Sequence, residues 1–191
     1  MVAASQLRAG MAIQYQGQRY RVLAADYHPG QGQMSGAAHV RLQNLDTGTF
    51  WEHSLRGELK LEEIPLEKRN LEFLYADGGE CCFMDPDTFD QFEISASKVG
   101  PQAHFLDAGM KLPVEFMDNQ PIRVVFPDVV EVKVADTAPP VHQQADASLK
   151  PAKLGNGVGI MVPQFVKAGD VIRLDLATMK YVDRVRVRAQ G

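Results

Sequence analysis

Apolar and polar residues alternate in short runs along most of this chain, and two-residue turn signals break the runs every dozen residues or so, roughly the spacing of a barrel or sandwich. IQYQGQRYRVL pivots on Gln16-Gly17, LEFLYADGGECCFM on Asp77-Gly78, and PVEFMDNQPIRVVF on Asp118-Asn119. Each reads as a β-hairpin, because Gly, Asn and Asp tolerate the positive φ that tight hairpin turns demand. A period of two buries one face of a strand and wets the other, and a helix cannot satisfy it. Only Ile94 to Met110 has helical character, and Gly100-Pro101 limits it to one or two short turns. The pattern predicts an all-β chain of several small barrels rather than one α/β domain.

A chain of 191 residues with 45% hydrophobic content can support one to three small cores. No apolar run is long enough to span a membrane as a helix, and the N-terminus lacks a secretory pattern, so a cytoplasmic protein that does not enter membranes is expected. The two cysteines, Cys81 and Cys82, are adjacent and would point to opposite faces of a strand, which argues against a disulfide framework and a four-ligand zinc site. Leu59 to Arg69 is charged, carries Pro65 and marks a junction near residue 64; Phe126-Pro127-Asp128 marks a second. Three blocks result: 1–64, 65–127 and 128–191. In the last, Val129 to Val134 alternates as a strand, and Ala138-Pro139-Pro140 through Ser148 is a polar loop.

Charge separates the blocks more sharply than the net value of −4 suggests. Six basic side chains balance six acidic ones in 1–64, five face eleven in 65–127 for a balance of −6, and nine face seven in 128–191 for +2. This distribution argues against a uniform nucleic-acid coat. The acidic centre either meets a basic protein or is simply a solvated strand face. Enzymatic chemistry finds no foothold: His28, His39, His53, His104 and His142 lack metal-ligand spacing, no Gly-x-Ser-x-Gly elbow occurs, and Asp85 to Asp90 puts Phe89 where a calcium loop needs an oxygen. That last segment reads as a capped turn. No catalytic residue, metal ligand or cofactor is expected.

The run Lys150 to Gly169, KPAKLGNGVGIMVPQFVKAG, places Lys150, Ala152, Gly157, Ile160, Val162, Pro163, Val166 and Gly169 in one fixed order. Together with Leu7-Arg8-Ala9-Gly10, Thr47-Gly48-Thr49, Leu74-Tyr75-Ala76-Asp77-Gly78 and Phe83-Met84-Asp85-Pro86-Asp87-Thr88-Phe89-Asp90-Gln91, it resembles the elongation factor P family over nearly the whole chain. The resemblance implies an SH3-like (KOW-like) N-terminal barrel followed by two OB-fold barrels in an L-shaped, tRNA-like arrangement. It also implies a monomeric factor that binds the 70S ribosome between the P and E sites, near E-site ribosomal proteins. There it would position P-site peptidyl-tRNA and stimulate peptide-bond formation at polyproline stalls. The reading from another class is an OB-fold module for RNA or protein, unrelated to peptidyl transfer.

In that family the loop corresponding to His28–Gly36 reaches the CCA end of the P-site tRNA, which nominates Gly30, Gln31, Gly32, Gln33 and Met34. Three glycines permit a narrow projecting tip. This sequence departs from the family there: Gln31 stands in the place of the modified tip lysine, no Lys or Arg occurs between His28 and His39, and the loop is longer. Gln31, Gln33 or Met34 occupies the tip, and no tip modification carries over. A second departure replaces the usual Pro-Gly-Leu-Lys-Gly by Pro139-Pro140-Val141-His142-Gln143-Gln144. For contact with RNA or the ribosome the C-terminal block offers Lys150, Lys153, Tyr181, Arg184 and Arg186, with Arg184, Arg186 and Arg188 alternating along one strand face. That row serves either as a phosphate contact or as the polar side of a barrel strand.

Overall fold

The structure, a computed structural model, describes residues 1–30, 36–139 and 148–185; strands dominate them, with three short helical turns between. The first sheet comprises β1 (Val2–Ala3), β2 (Ala12–Tyr15), β3 (Gln18–His28), β4 (Ala37–Asn44), β5 (Phe50–Arg56) and β6 (Lys60–Ile64), in the order β1-β6-β2-β3-β4-β5. The second has β7 (Glu67–Asp77), β8 (Glu80–Met84), β9 (Gln91–Ser95), β10 (Lys111–Met117) and β11 (Gln120–Val124), ordered β11-β10-β7-β8-β9. The third has β12 (Val129–Thr137), β13 (Leu149–Leu154), β14 (Gly159–Pro163), β15 (Val171–Asp175) and β16 (Lys180–Arg184). Its order is β14-β13-β12-β15-β16, and it curls until β14 and β16 touch. The all-β expectation holds.

The hairpin turns follow the sequence signals closely. Gln16 and Gly17 take φ of 51° and 76° between the paired Tyr15 and Gln18. Asp118 and Asn119 take 50° and 61° between β10 and β11. The middle turn sits one residue later than expected: Asp77 still pairs with Glu80, and Gly78 and Gly79 form the turn at φ of 57° and 85°. Two glycines enter the left-handed region without a Cβ penalty, so Asp77 stays in the ladder. Within Ile94 to Met110 the chain makes one helical turn, α1 (Ala96–Val99), and one 3-10 turn, Pro101–Phe105, separated by Gly100 at φ 87°. A 3-10 turn at Ala4–Gln6 had no sequence signal. Leu59 to Arg69 is mostly strand, with only Pro65-Leu66 between β6 and β7.

By packing, the chain divides into two compact units, Met1–Arg69 with Val114–Arg123 and Asn70–Pro113 with Val124–Gly191. In the first, alternate residues of β2 to β6, among them Ile13, Val22, Val40, Leu42, Leu55 and Leu61, form the core. On the other face of β3 lies Arg21, 4% exposed and ion-paired with Glu115, itself 5% exposed. Lys68 approaches the second Glu115 oxygen at 3.9 Å, and the Arg69 guanidinium lies 4.5 Å above the Phe116 ring. In the second unit, Val134, Leu154, Val162, Val166, Ile172 and Leu174 form the core, into which Phe105 inserts from its 3-10 turn.

The Lys150–Gly169 run is architecture almost throughout. Ala152, Ile160, Val162 and Val166 are buried, Gly157 and Gly169 turn the chain at φ of 86° and 91°, and the Gly169 N–H donates to the Val134 carbonyl at 2.8 Å. Cys81 and Cys82 alternate on β8 as expected, and both are free thiols buried because this strand is covered on both faces, with Cys82 Sγ donating to Gln91 Oε1 at 3.9 Å. Asp85 caps its own turn, its Oδ1 accepting from the Asp87 and Thr88 N–H groups at 2.9 and 3.3 Å.

The Arg21–Glu115 pair dictates an expected outcome. Glu115→Ala strands a buried guanidinium and should lower stability in a urea titration by about 3–5 kcal/mol. The joint replacement Arg21→Met with Glu115→Leu should recover most of that loss.

Candidate nucleic-acid interface

The loop expected to reach a tRNA end sits on a three-stranded arm. His28 pairs with Ala37 and Ala37 with Arg56, so β3, β4 and β5 end level with one another. A bulge between Val22 and Ala24 of β3 adds local twist to the long β3–β4 ladder below the loop. Gly30 lies just beyond β3 and is exposed. Gln31, Gly32, Gln33 and Met34 lie outside the described residues.

The base of the loop is held by residues that the sequence reading did not single out. The Gly57 N–H donates to the Gly36 carbonyl at 2.7 Å, tying the residue before β4 to the one after β5. The Tyr27 ring lies across both glycines: a methyl group at Gly36 would meet the ring Cζ at 2.7 Å, and one at Gly57 would meet Cε2 at 2.6 Å. Neither position has room for a side chain while the ring stays in place. The His28 and His39 rings meet edge to face at 5.3 Å alongside. An aromatic residue two positions before Pro29-Gly30, with a glycine closing the loop, was the available signal.

Lower on the same sheet, Trp51 stacks on His53 at 4.6 Å and 12° and on Tyr20 at 5.8 Å, with Tyr15 at 5.7 Å. This strip packs against the core from one side and leaves His53 exposed. It follows from register, since Trp51 faces Leu42 and His53 faces Val40 across the β4–β5 ladder.

In the C-terminal sheet the described contact candidates differ in exposure. Lys150 requires a correction: it shares the inward face of β13 with Ala152 and Leu154, is 4% exposed, and donates through Nζ to the Ala138 carbonyl at 2.5 Å. Alternation along β13 puts every even-numbered residue inside, so its ammonium is not presented to a phosphate. Lys153 is on the outward face and exposed. Arg184 ends β16, 3.4 Å from Asp170 and with its guanidinium 5.5 Å from the Phe165 ring centre. Tyr181 meets Phe165 edge-on at 6.4 Å. Burial raises the Tyr181 phenol above its usual range, and Asp183 adds to this, so it stays a neutral hydrogen-bond donor. Phe165, 53% exposed, completes an aromatic and cationic cluster that the sequence reading missed. Arg186 and Arg188 lie outside the described residues, so the arginine row is described only at Arg184.

Among the described residues no group of His, Cys, Asp and Glu is arranged to hold a metal ion, and no helix is long and apolar enough to cross a membrane. What the arrangement offers chemically is hydrogen bonding, stacking and positive charge.

Comparison with known proteins gives this architecture its place. Residues 3–61 match the family profile described as elongation factor P KOW-like domain, 66–124 the elongation factor P OB domain, and 130–184 elongation factor P, C-terminal. The chain is 38% identical over 188 residues to the elongation factor P of Symbiobacterium thermophilum, covering 96% of this chain and all of the relative. To that of Thermus thermophilus it is 36% identical over 185 residues, again 96% of this chain and all of the relative. To that of Gemmatimonas aurantiaca it is 33% identical over 185 residues, 96% of this chain and 98% of the relative. The solved eukaryotic translation initiation factor 5A from Methanococcus jannaschii superposes with a TM-score of 0.51 at 16% identity, over 65% of this chain and 92% of that one, a likeness of fold. A KOW-like domain followed by OB domains, matched end to end in this way, defines a ribosome-associated translation elongation factor. The chain belongs to the elongation factor P family.

Two outcomes follow from the geometry. In a double-mutant cycle, Gly36→Ala should destabilise the protein with Tyr27 present and be near neutral beside Tyr27→Ala, the two sites coupling by about 0.5–3 kcal/mol in thermal unfolding. In ribosome binding measured across salt concentrations, Lys153→Met and Arg184→Met should each flatten the logarithmic salt slope by roughly 0.7–0.9. Lys150→Met should leave that slope unchanged.

Proposed function

We propose that this protein binds the 70S ribosome between the P and E sites, positions P-site peptidyl-tRNA and stimulates peptide-bond formation at polyproline stalls. The reading is carried by full-length membership of the elongation factor P family, together with the packing of the Tyr27 ring across Gly36 and Gly57 where the Gly-rich loop leaves the level end of a three-stranded arm. Three functional parts, 1–64, 65–127 and 128–191, divide the work. The tip of the first, Gly30 to Met34, contacts the CCA end of the tRNA. In the third, Lys153, Tyr181 and Arg184, with Arg186 beyond them, meet RNA, and Phe165 adds a stacking face. The protein acts in the cytoplasm as a monomer and touches ribosomal proteins near the E site.

The mechanism is positional. Proline is a constrained, slowly reacting acceptor, and holding the donor ester in a reactive pose lowers the orientational part of the barrier. Such a role requires no acid, base, metal or cofactor from the protein. Gln31 and Gln33 each offer an amide that donates to and accepts from ribose and phosphate, and Met34 offers an adaptable apolar surface to a base. With no lysine in the loop, contact is made by neutral side chains and backbone, so activity is independent of tip modification.

Recombinant protein carrying no modification should therefore relieve stalling at consecutive prolines in a reconstituted translation system, and should co-sediment with 70S particles. Failure to relieve stalling despite co-sedimentation would overturn the unmodified-tip mechanism. Failure to co-sediment would favour an OB-fold binding module with another partner.

A further inference from the structure

β12 is paired along only part of one side. Its first half pairs with β15, from Val129 opposite Asp175 to Lys133 opposite Val171. Its second half pairs with β13 only from Val134 onward, opposite Leu154, beyond which a bulge shifts the register. The direction of the backbone groups is set by three bonds: Leu176 N–H to the Asp128 carbonyl, Val134 N–H to the Asp170 carbonyl, and Gly169 N–H to the Val134 carbonyl. These aim the even-numbered residues of this stretch at β15. Val129, Glu131 and Lys133 must then direct their N–H and C=O groups to the other side. There the Gly155 N–H takes the Lys133 carbonyl at 2.9 Å. Among the described residues, the N–H and C=O of Val129 and Glu131 and the N–H of Lys133 have no backbone partner on that side.

These unpaired groups line a groove of about 470 Å³ within the second unit. Its opposite wall is His104, Phe105, Asp107 and Met110. At the Lys133 end it is closed by Gly155 and by Asn156, whose Nδ2 donates to the His104 carbonyl at 3.0 Å. Phe105 is anchored in the barrel core, so this wall packs with β12 in one core. A five-residue strand edge in a cleft bounded by such walls matches an added strand, about 3.3 Å per residue.

We propose that this groove binds an extended, lysine- or arginine-bearing segment of another protein, which adds as a strand to the free edge of β12. Charge selects this occupant. Glu131 and Asp107 line the groove and neither has an ion-pair partner among the described residues, whereas Lys133, at the closed end, is the only lysine or arginine in the lining. The block 65–127 that supplies the opposite wall carries eleven acidic against five basic side chains. A nucleic-acid strand would bring phosphates against the Glu131 and Asp107 carboxylates, with Arg173 opposite Glu131 on β15 and already paired with Asp183, and would leave the backbone donors unread. This inference stands apart from the tip loop and from the peptidyl-transfer reading.

The test uses the isotope-labelled full chain and a short, end-blocked peptide alternating lysine and valine, followed by amide NMR. Saturable shifts at Val129, Glu131 and Lys133, with slowed hydrogen exchange at Glu131, are expected. The same peptide N-methylated at alternate residues keeps its charge and loses its ladder donors, so it should bind about tenfold more weakly or worse, the equivalent of one or two lost hydrogen bonds. Glu131→Lys should weaken the unmethylated peptide similarly, and a glutamate–valine peptide should not bind. Equal binding of the methylated peptide, shifts confined to other residues, or no shift would overturn the proposal. So would oligouridylate perturbing the same amides, or concentration-dependent shifts without peptide, which would assign the edge to RNA or to a second copy of the chain.

Discussion

Antiparallel pairing with side chains alternating between faces governs what every residue of this chain can do. Once β13 is registered against β14, with Ala152 opposite Ile160 and Lys150 opposite Val162, the even-numbered positions of β13 are inside and the odd ones outside. A slip of one residue would expose Ala152 and Leu154 and drive Lys153 into the core. The same rule, applied to β4 and β5, sends Trp51 and His53 to the side of Leu42 and Val40 and makes the aromatic strip. Applied to β12, it directs alternate backbone groups toward a groove that β13 does not reach.

This rule explains why the strongest family signature says little directly about contact chemistry. Between Lys150 and Gly169 the constrained positions are core residues and left-handed turns, together with a buried lysine whose ammonium donates to the Ala138 carbonyl. A motif of that kind identifies a fold because burial and positive φ tolerate few substitutions. The positions that would meet a ribosome lie elsewhere, on outward strand positions and on loops, where many side chains are compatible with folding. A loop without lysine or arginine between His28 and His39 is therefore compatible with a scaffold that remains recognisably that of the family.

The buried Arg21–Glu115 pair and the Tyr27 clamp are two forms of positional control in the first unit. The ion pair joins β3 to the Val114–Arg123 segment through a directional contact, costly to break once desolvated. The clamp works sterically, since two glycines leave a slot that the tyrosine ring fills. Both lie within the described scaffold from which the β3–β4 loop departs. Positional catalysis depends on such supports more than on reactive groups.

Periodicity and turn chemistry were readable from the residues alone: the all-β class, the hairpins at Gln16-Gly17 and Asp118-Asn119, and the interruption at Gly100. These are set by neighbours in sequence, as φ preferences and alternation are local properties. The family could be read for a related reason, as its signature is written in core and turn positions. Where two glycines followed Asp77, local rules allowed two turns and the ladder chose the later one. Lys150 looked like a free cation because its charge is visible in sequence and its burial is not, although alternation with Ala152 and Leu154 held the clue. The pairing of Arg21 with Glu115, the seat of Tyr27 on Gly36 and Gly57, the coming together of Phe165, Tyr181 and Arg184, and the unpaired edge of β12 join residues distant along the chain. Tertiary structure alone decided them, because such contacts exist only after register and strand order have brought those residues within a few ångströms.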